Sequence, residues 1–257
     1  MSGRARAHLT TGHRASALAL IACAALAWLI TVQQFIGMPA GPGTMGLGLV
    51  GFLAVWELMM VAMMLPTLAP LTSTYLRTLR ALQPSRIRLA RTTALVVGYL
   101  ITWLGFGLLA YFAASLLAVL VAVAPVAATW VGAGLLAAAG IYQLTPLKDF
   151  CLRHCRSPMA FLLHVSGYRG RFRDLRVGMY HGSYCAGCCW GLMVVLICVG
   201  VMNLVWMAAI AAAILLEKTW KHGRAFSKVV GVGIIVFACF VPLNPVLLPG
   251  LTAVMPM

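Results

Sequence analysis

Charge is scarce in this chain, and negative charge is nearly missing. Four Asp and Glu residues stand against nineteen Lys and Arg, and only 9% of the 257 residues are charged. With 63% of residues hydrophobic, a soluble domain of this length is excluded, because such a composition cannot clothe a water-facing surface. The sequence also lacks a glycine-rich nucleotide loop, a G-x-S-x-G turn and a His-Glu-x-x-His helix. Nucleotide-driven work, serine-type hydrolysis and zinc-protease chemistry therefore have no motif to rest on. No catalytic set points to an enzyme. The eight cysteines follow none of the spacings of small secreted domains, so they do not read as a disulfide framework. No internal repeat, low-complexity tract or second domain interrupts the chain, and residues 1–257 read as one integral membrane domain.

What is present is a succession of apolar runs of about 20 residues, the length a membrane-crossing helix needs. The expected fold is an all-α polytopic transmembrane bundle of about seven spans. The first covers about 15–37 and reads as retained rather than cleaved, because its apolar region is long for a signal peptide. A turn-rich linker, 38–43, precedes a second span that runs from Gly46 to Pro66 or on to Tyr75. Residues 92–147 carry no charge and suit two spans broken near Pro125. Residues 184–217 suit a tight helical hairpin turning near 200–203, and the count falls to six if they form a single or re-entrant segment. A last span covers about 229–248.

The cations fall in blocks: Arg4 to Arg14, Arg77 to Arg91, Lys148 to Arg176 and Lys218 to Lys228. Seven spans place every block on the cytoplasmic side, with the N-terminus inside and the C-terminus outside, as the positive-inside rule requires. The formal charge of +15 then serves anionic lipid headgroups and not nucleic acid. The segment 148–181 reads as a basic cytoplasmic loop holding an interfacial helix. A bacterial inner membrane is the expected location.

Two of the four carboxylates lie in apolar stretches among soft ligands. An ionisable group at membrane depth is costly and is a functional hypothesis by default. Glu57 shares a helical face with Met60 and Met64, while Met59 and Met63 read as lipid-facing or core filling. Cys185, Cys188 and Cys189 share a face at i, i+3 and i+4, with His181 one turn before and Met193 one turn after. Asn203, Met207 and Glu217 share a face further on. An antiparallel hairpin would return Glu217 to the height of Cys185, either as a ligand or as the partner of Lys218 or Lys221. Thiolates and thioethers select a soft metal, with Cu(I) first; zinc remains open, as does a haem ligated by His181 and a methionine. Cys151, His154 and Cys155 form a weaker cluster in the basic loop, able to collect a metal from a donor. Cys23, Cys198 and Cys239 read as packing residues.

Two signatures occur in order: Trp56-Glu57-x-Met59-Met60-x-x-Met63-Met64-Leu65-Pro66, then Tyr184-Cys185-x-Gly187-Cys188-Cys189-Trp190 with Met202-Asn203, Trp206-Met207 and Glu217-Lys218. They resemble a bacterial family of predicted metal-binding integral membrane proteins, some labelled copper chaperones. The resemblance runs from the second span to Lys218 and implies metal binding within a helical membrane bundle. From the residues, the expected site has Cys185, Cys188 and Cys189 as thiolate ligands and Met60, Met64 and Met207 as thioethers. Glu57, Glu217 and His181 ligate, balance charge or carry a proton. The expected role is copper handling for a copper-dependent enzyme or another membrane subunit. The rivals are a membrane thiol-disulfide oxidoreductase using Cys185 and Cys188, a metal- or proton-coupled transporter using Glu57 and Glu217, and an assembly subunit.

Overall fold

A computed structural model describes residues 3–36, 43–44, 46–80, 84–201, 203–244 and 247–251. Among them are nine α-helices and no strand: α1 (Gly3–Phe35), α2 (Leu49–Arg80), α3 (Ser85–Val123), α4 (Pro125–Leu144), α5 (Pro146–Arg156), α6 (Pro158–His164), α7 (Arg173–Val199), α8 (Leu204–Thr219) and α9 (Gly223–Phe240). Six of these, α1, α2, α3, α4, α7 and α9, are long and apolar enough to cross a membrane. In α8 the 16 residues rise about 24 Å, short of the roughly 20 residues a full span requires. Where about seven spans were expected, six helices have the length to cross and α8 does not. Residues 38–42 of the expected linker and Met202 lie outside the described residues.

The expected break near Pro125 is present. Ala124 leaves helical geometry and Pro125 opens α4, where its missing N–H would have been unpaired anyway. By contrast, α2 runs through Pro66 and Pro70 without interruption. Hydroxyls of Thr67, Thr72 and Thr74 donate to the carbonyls of Met64, Leu68 and Pro70, which satisfies these hydroxyls locally inside a low-dielectric bundle. The hairpin expected over 184–217 is formed by α7 and α8. Its turn is fixed by Gly200 at φ 104°, a region that L side chains resist. Asn203 follows as N-cap, its side chain accepting from the amides of Val205 and Trp206 at 3.2 Å. That role accounts for Asn203 without a ligand.

Two stretches expected as basic loops, the second with one interfacial helix, are largely helical. The block Arg77–Arg91 is crossed by the end of α2 and the start of α3. In 148–181, α7 begins at Arg173, well before the expected 184. Asp174 stands in its first turn, where a carboxylate suits the helix N-terminus. It accepts two hydrogen bonds from the Arg91 guanidinium at 2.8 and 3.0 Å and one from the Tyr75 hydroxyl. One carboxylate thereby joins α2, α3 and α7.

The centre of the bundle is α7, which packs against α3, α4, α5 and α8. Of its apolar stretch 67% is buried inside the protein, against at most 44% for any other long helix. Its contact with α3 is backbone to backbone: a Cβ on Gly178 would overlap the Leu95 carbonyl, and one on Gly98 would overlap that of Leu175. Small residues permit this approach where lipid supplies no hydrophobic driving force between helices. Gly178→Val is expected to separate α3 from α7 at a cost of about 1–3 kcal/mol. A lowered thermal transition in detergent micelles checks this, with Gly134→Val, where nothing lies within 4 Å of an added Cβ, as the neutral control.

Candidate metal centre

Cys185, Cys188 and Cys189 of α7 are presented as their spacing requires, and all three are buried. The thiols of Cys188 and Cys189 turn back to donate to the Cys185 carbonyl at 3.1 and 2.9 Å. The Cys185 sulfur is the hub. The Lys218 ammonium donates to it at 2.8 Å, and the Tyr99 hydroxyl lies 2.9 Å away. The thiols of Cys155, Cys188 and Cys189 interact with it as well.

A fourth sulfur comes from α5. Cys155 lies 3.8 Å from Cys188, sulfur to sulfur. That spacing suits two thiolates sharing one soft ion with metal–sulfur bonds of about 2.3 Å. Hydrogen bonds to the Cys185 and Cys188 sulfurs, together with burial, hold the Cys155 thiol well above its ordinary range. Cys151, one turn earlier and half-buried, is also pushed up by burial. Its sulfur lies 2.9 Å from where a Cβ on Gly187 would stand, so a side chain there would push the Cys151 sulfur aside. His154 does not join. Its ring stacks on Tyr184 with centroids 4.3 Å apart, and its Nδ1 lies 3.0 Å from the Phe150 carbonyl.

The position of α5 follows from charge. Thr145 caps it and Pro146 opens it, and its inward face carries Lys148, Leu152 and Cys155 at i, i+4 and i+7. The Lys148 ammonium is fully buried and bonds both carboxylate oxygens of Glu217 at 2.9 and 2.8 Å. At the other end of α5, the Arg156 guanidinium donates to the carbonyls of Glu217 and Trp220 at 2.9 and 2.7 Å. Both ends of α5 are thus fastened to the end of α8. The sequence offered Lys218 or Lys221 as partner for Glu217, but the partner is Lys148. Glu217 faces α5, and its neighbour Lys218 reaches the cysteines.

The other expected residues are less concentrated. His181 is buried one turn before Cys185, and its Nδ1 has no hydrogen-bond partner. In α2, Met59, Met60, Met63 and Met64 are all buried, as is Met207 in α8; Met59 and Met63 are core residues and do not face lipid. Glu57 keeps a buried, unpartnered carboxylate oxygen. Met193 lines an apolar cavity with Trp56, Trp103 and Trp190. Among the described residues, no three Cys, His, Asp or Glu side chains form a preformed metal position. The thiols supply a donor set that fits a soft ion, but Lys218 stands among them. Spacing within α7 could not reveal Tyr99, Lys148 or Lys218, and Cys155 was expected only in a separate cluster with Cys151 and His154. For Cys155 a signal existed, since it shares a helical face with Lys148 and Leu152.

A family model described as copper chaperone, PpoB2, matches residues 53–241. The chain belongs to that family. The match starts in α2, runs through both signatures and ends just beyond α9, so the PpoB2 region contains every residue of the sulfur cluster. No curated protein and no solved structure matches the chain.

Removing one member of the Lys148–Glu217 pair leaves the other charge buried and unpaired. Lys148→Met is expected to cost about 3–5 kcal/mol, with Lys148→Met/Glu217→Met recovering most of the loss. Thermal unfolding of the three forms in detergent gives the comparison. Equal destabilisation by the single and double variants would count against the pairing.

Proposed function

We propose that this chain is a multi-pass membrane protein that binds Cu(I) as cargo and hands it to a copper-dependent enzyme or another membrane subunit. The observation that carries the reading is the sulfur cluster, Cys155 of α5 against Cys185, Cys188 and Cys189 of α7, inside the region matched by a copper-chaperone family. Soft thiolates favour Cu(I), which tolerates two to four such ligands in loose geometry. His181 and the thioethers Met60, Met64 and Met207 are auxiliary donors, and Glu57 and Glu217 balance charge or carry a proton. Half-buried Cys151 is the entry sulfur, one helical turn from Cys155. On the positive-inside rule the basic segments, and with them α5, face the cytoplasm of a bacterial cell, where thiols stay reduced.

A second reading rests on the 3.8 Å approach of Cys155 to Cys188. Two thiols at this distance can close a disulfide, releasing two protons and two electrons to a quinone.

Metal analysis of anaerobically purified protein separates the two. The wild type is expected to hold near-stoichiometric copper after Cu(I) loading, and Cys155→Ser/Cys185→Ser/Cys188→Ser to hold none. Cys155→Ser alone is expected to weaken binding, measured by competition with a Cu(I) chelator. Absence of copper from the loaded wild type, with a Cys155–Cys188 disulfide trapped on oxidation, would establish the redox reading instead.

A further inference from the structure

The Lys218 ammonium is out of place for a site that takes a cation. It sits 2.8 Å from the hub sulfur of Cys185. Glu217 pairs with Lys148, so the carboxylate next to Lys218 in sequence is committed elsewhere. The other partner of the ammonium is the Thr67 hydroxyl on α2, at 3.4 Å. A cation in such surroundings needs an anionic or strongly accepting neighbour. The sulfur cluster is that neighbour.

We propose that Lys218 is the resident counter-cation of the sulfur cluster, displaced by a monovalent soft ion and acting to select against divalent ions. The inference rests on the copper-binding reading. A monovalent ion that takes the ammonium's place beside Cys185 brings the same single positive charge, and each further thiol that ligates it, Cys155 or Cys188, gives up its proton to the aqueous phase. The ammonium has an acceptor waiting in Thr67, whose own hydroxyl donates to the Met64 carbonyl at 2.8 Å, so displacement does not leave it without a hydrogen-bond partner. It remains close, however. A divalent ion would add a second positive charge against a lysine that has no carboxylate to retreat to. Lys218 is therefore a positioning residue: it keeps the thiol hub in place before loading and sets the charge that the site accepts.

The test uses the full chain in detergent, as wild type and Lys218→Met. In the wild type, the rate of amine modification at Lys218, read by peptide mass spectrometry, is compared before and after Cu(I) loading. Separately, Cu(I) and Zn(II) affinities of both forms are measured by chelator competition. Loading is expected to raise Lys218 modification severalfold. Lys218→Met is expected to lower the Cu(I)-over-Zn(II) preference by at least about tenfold, the scale of a partly screened unit charge at contact distance. An unchanged modification rate in copper-loaded wild type overturns the proposal, as does an unchanged preference in the variant. If Lys218→Met does not fold, the wild-type modification rate decides alone. Failure of the wild type to bind Cu(I) at all overturns the copper reading and this inference together.

Discussion

A lysine and a glutamate buried together govern where the sulfurs meet. Lys148 and Glu217 are 0% and 1% exposed, and each would cost several kcal/mol to desolvate alone. Together they fix the amphipathic helix α5 against the end of α8. Arg156 then fastens the far end of the same helix to the carbonyls that close α8. With both ends held, Cys155 has nowhere to go but against α7, and Gly187 supplies the room for Cys151 beside it. An ion pair is weak evidence for stability in general. Here it has a positional consequence, because without it α5 carries only Leu152 and half-buried cysteines as an apolar face.

The second constraint is close packing of α7. It is flanked by α3 through two glycines, and Asp174 draws the ends of α2 and α3 onto its first turn. This is why α7 presents a fixed face. A fixed face is what an array at i, i+3 and i+4 requires if it is to act as one site. The Tyr99 hydroxyl reaches Cys185 from α3 for the same reason: the helix that carries it is held at backbone contact. Rigidity in α7 and charge-fastened docking of α5 bring four thiols from two helices together, beside a lysine from a third.

Much of this was legible in one dimension. Runs of apolar residues marked the helices, Pro125 marked the break between α3 and α4, and the hairpin over 184–217 followed from the need to return to a basic segment. The cysteine face of α7 followed from helical periodicity. Less legible were the stretches between spans. The Arg77–Arg91 segment looked like a loop because it is basic, and Lys148–His181 like a loop with one interfacial helix, yet both are largely helical. Charge density reports contact with water or headgroups, whereas backbone conformation there is set by caps such as Thr145 and by tertiary contacts such as Arg91 with Asp174. Periodicity could not tell which methionines of α2 belong to a site and which to the core, since all four are buried.

The sequence by itself determined the helical fold, the family, and the presence of soft ligands and costly charges inside apolar segments. These depend on composition and local period, which need no third dimension. Only the tertiary structure decided which charge meets which partner. Glu217 and Lys218 are neighbours, but neighbouring positions on an α-helix point about 100° apart. The rotation of α8 therefore sends one toward Lys148, 69 residues away, and the other toward Cys185, 33 residues away. That rotation is fixed by the packing of several helices at once, so no local pattern in the chain records it.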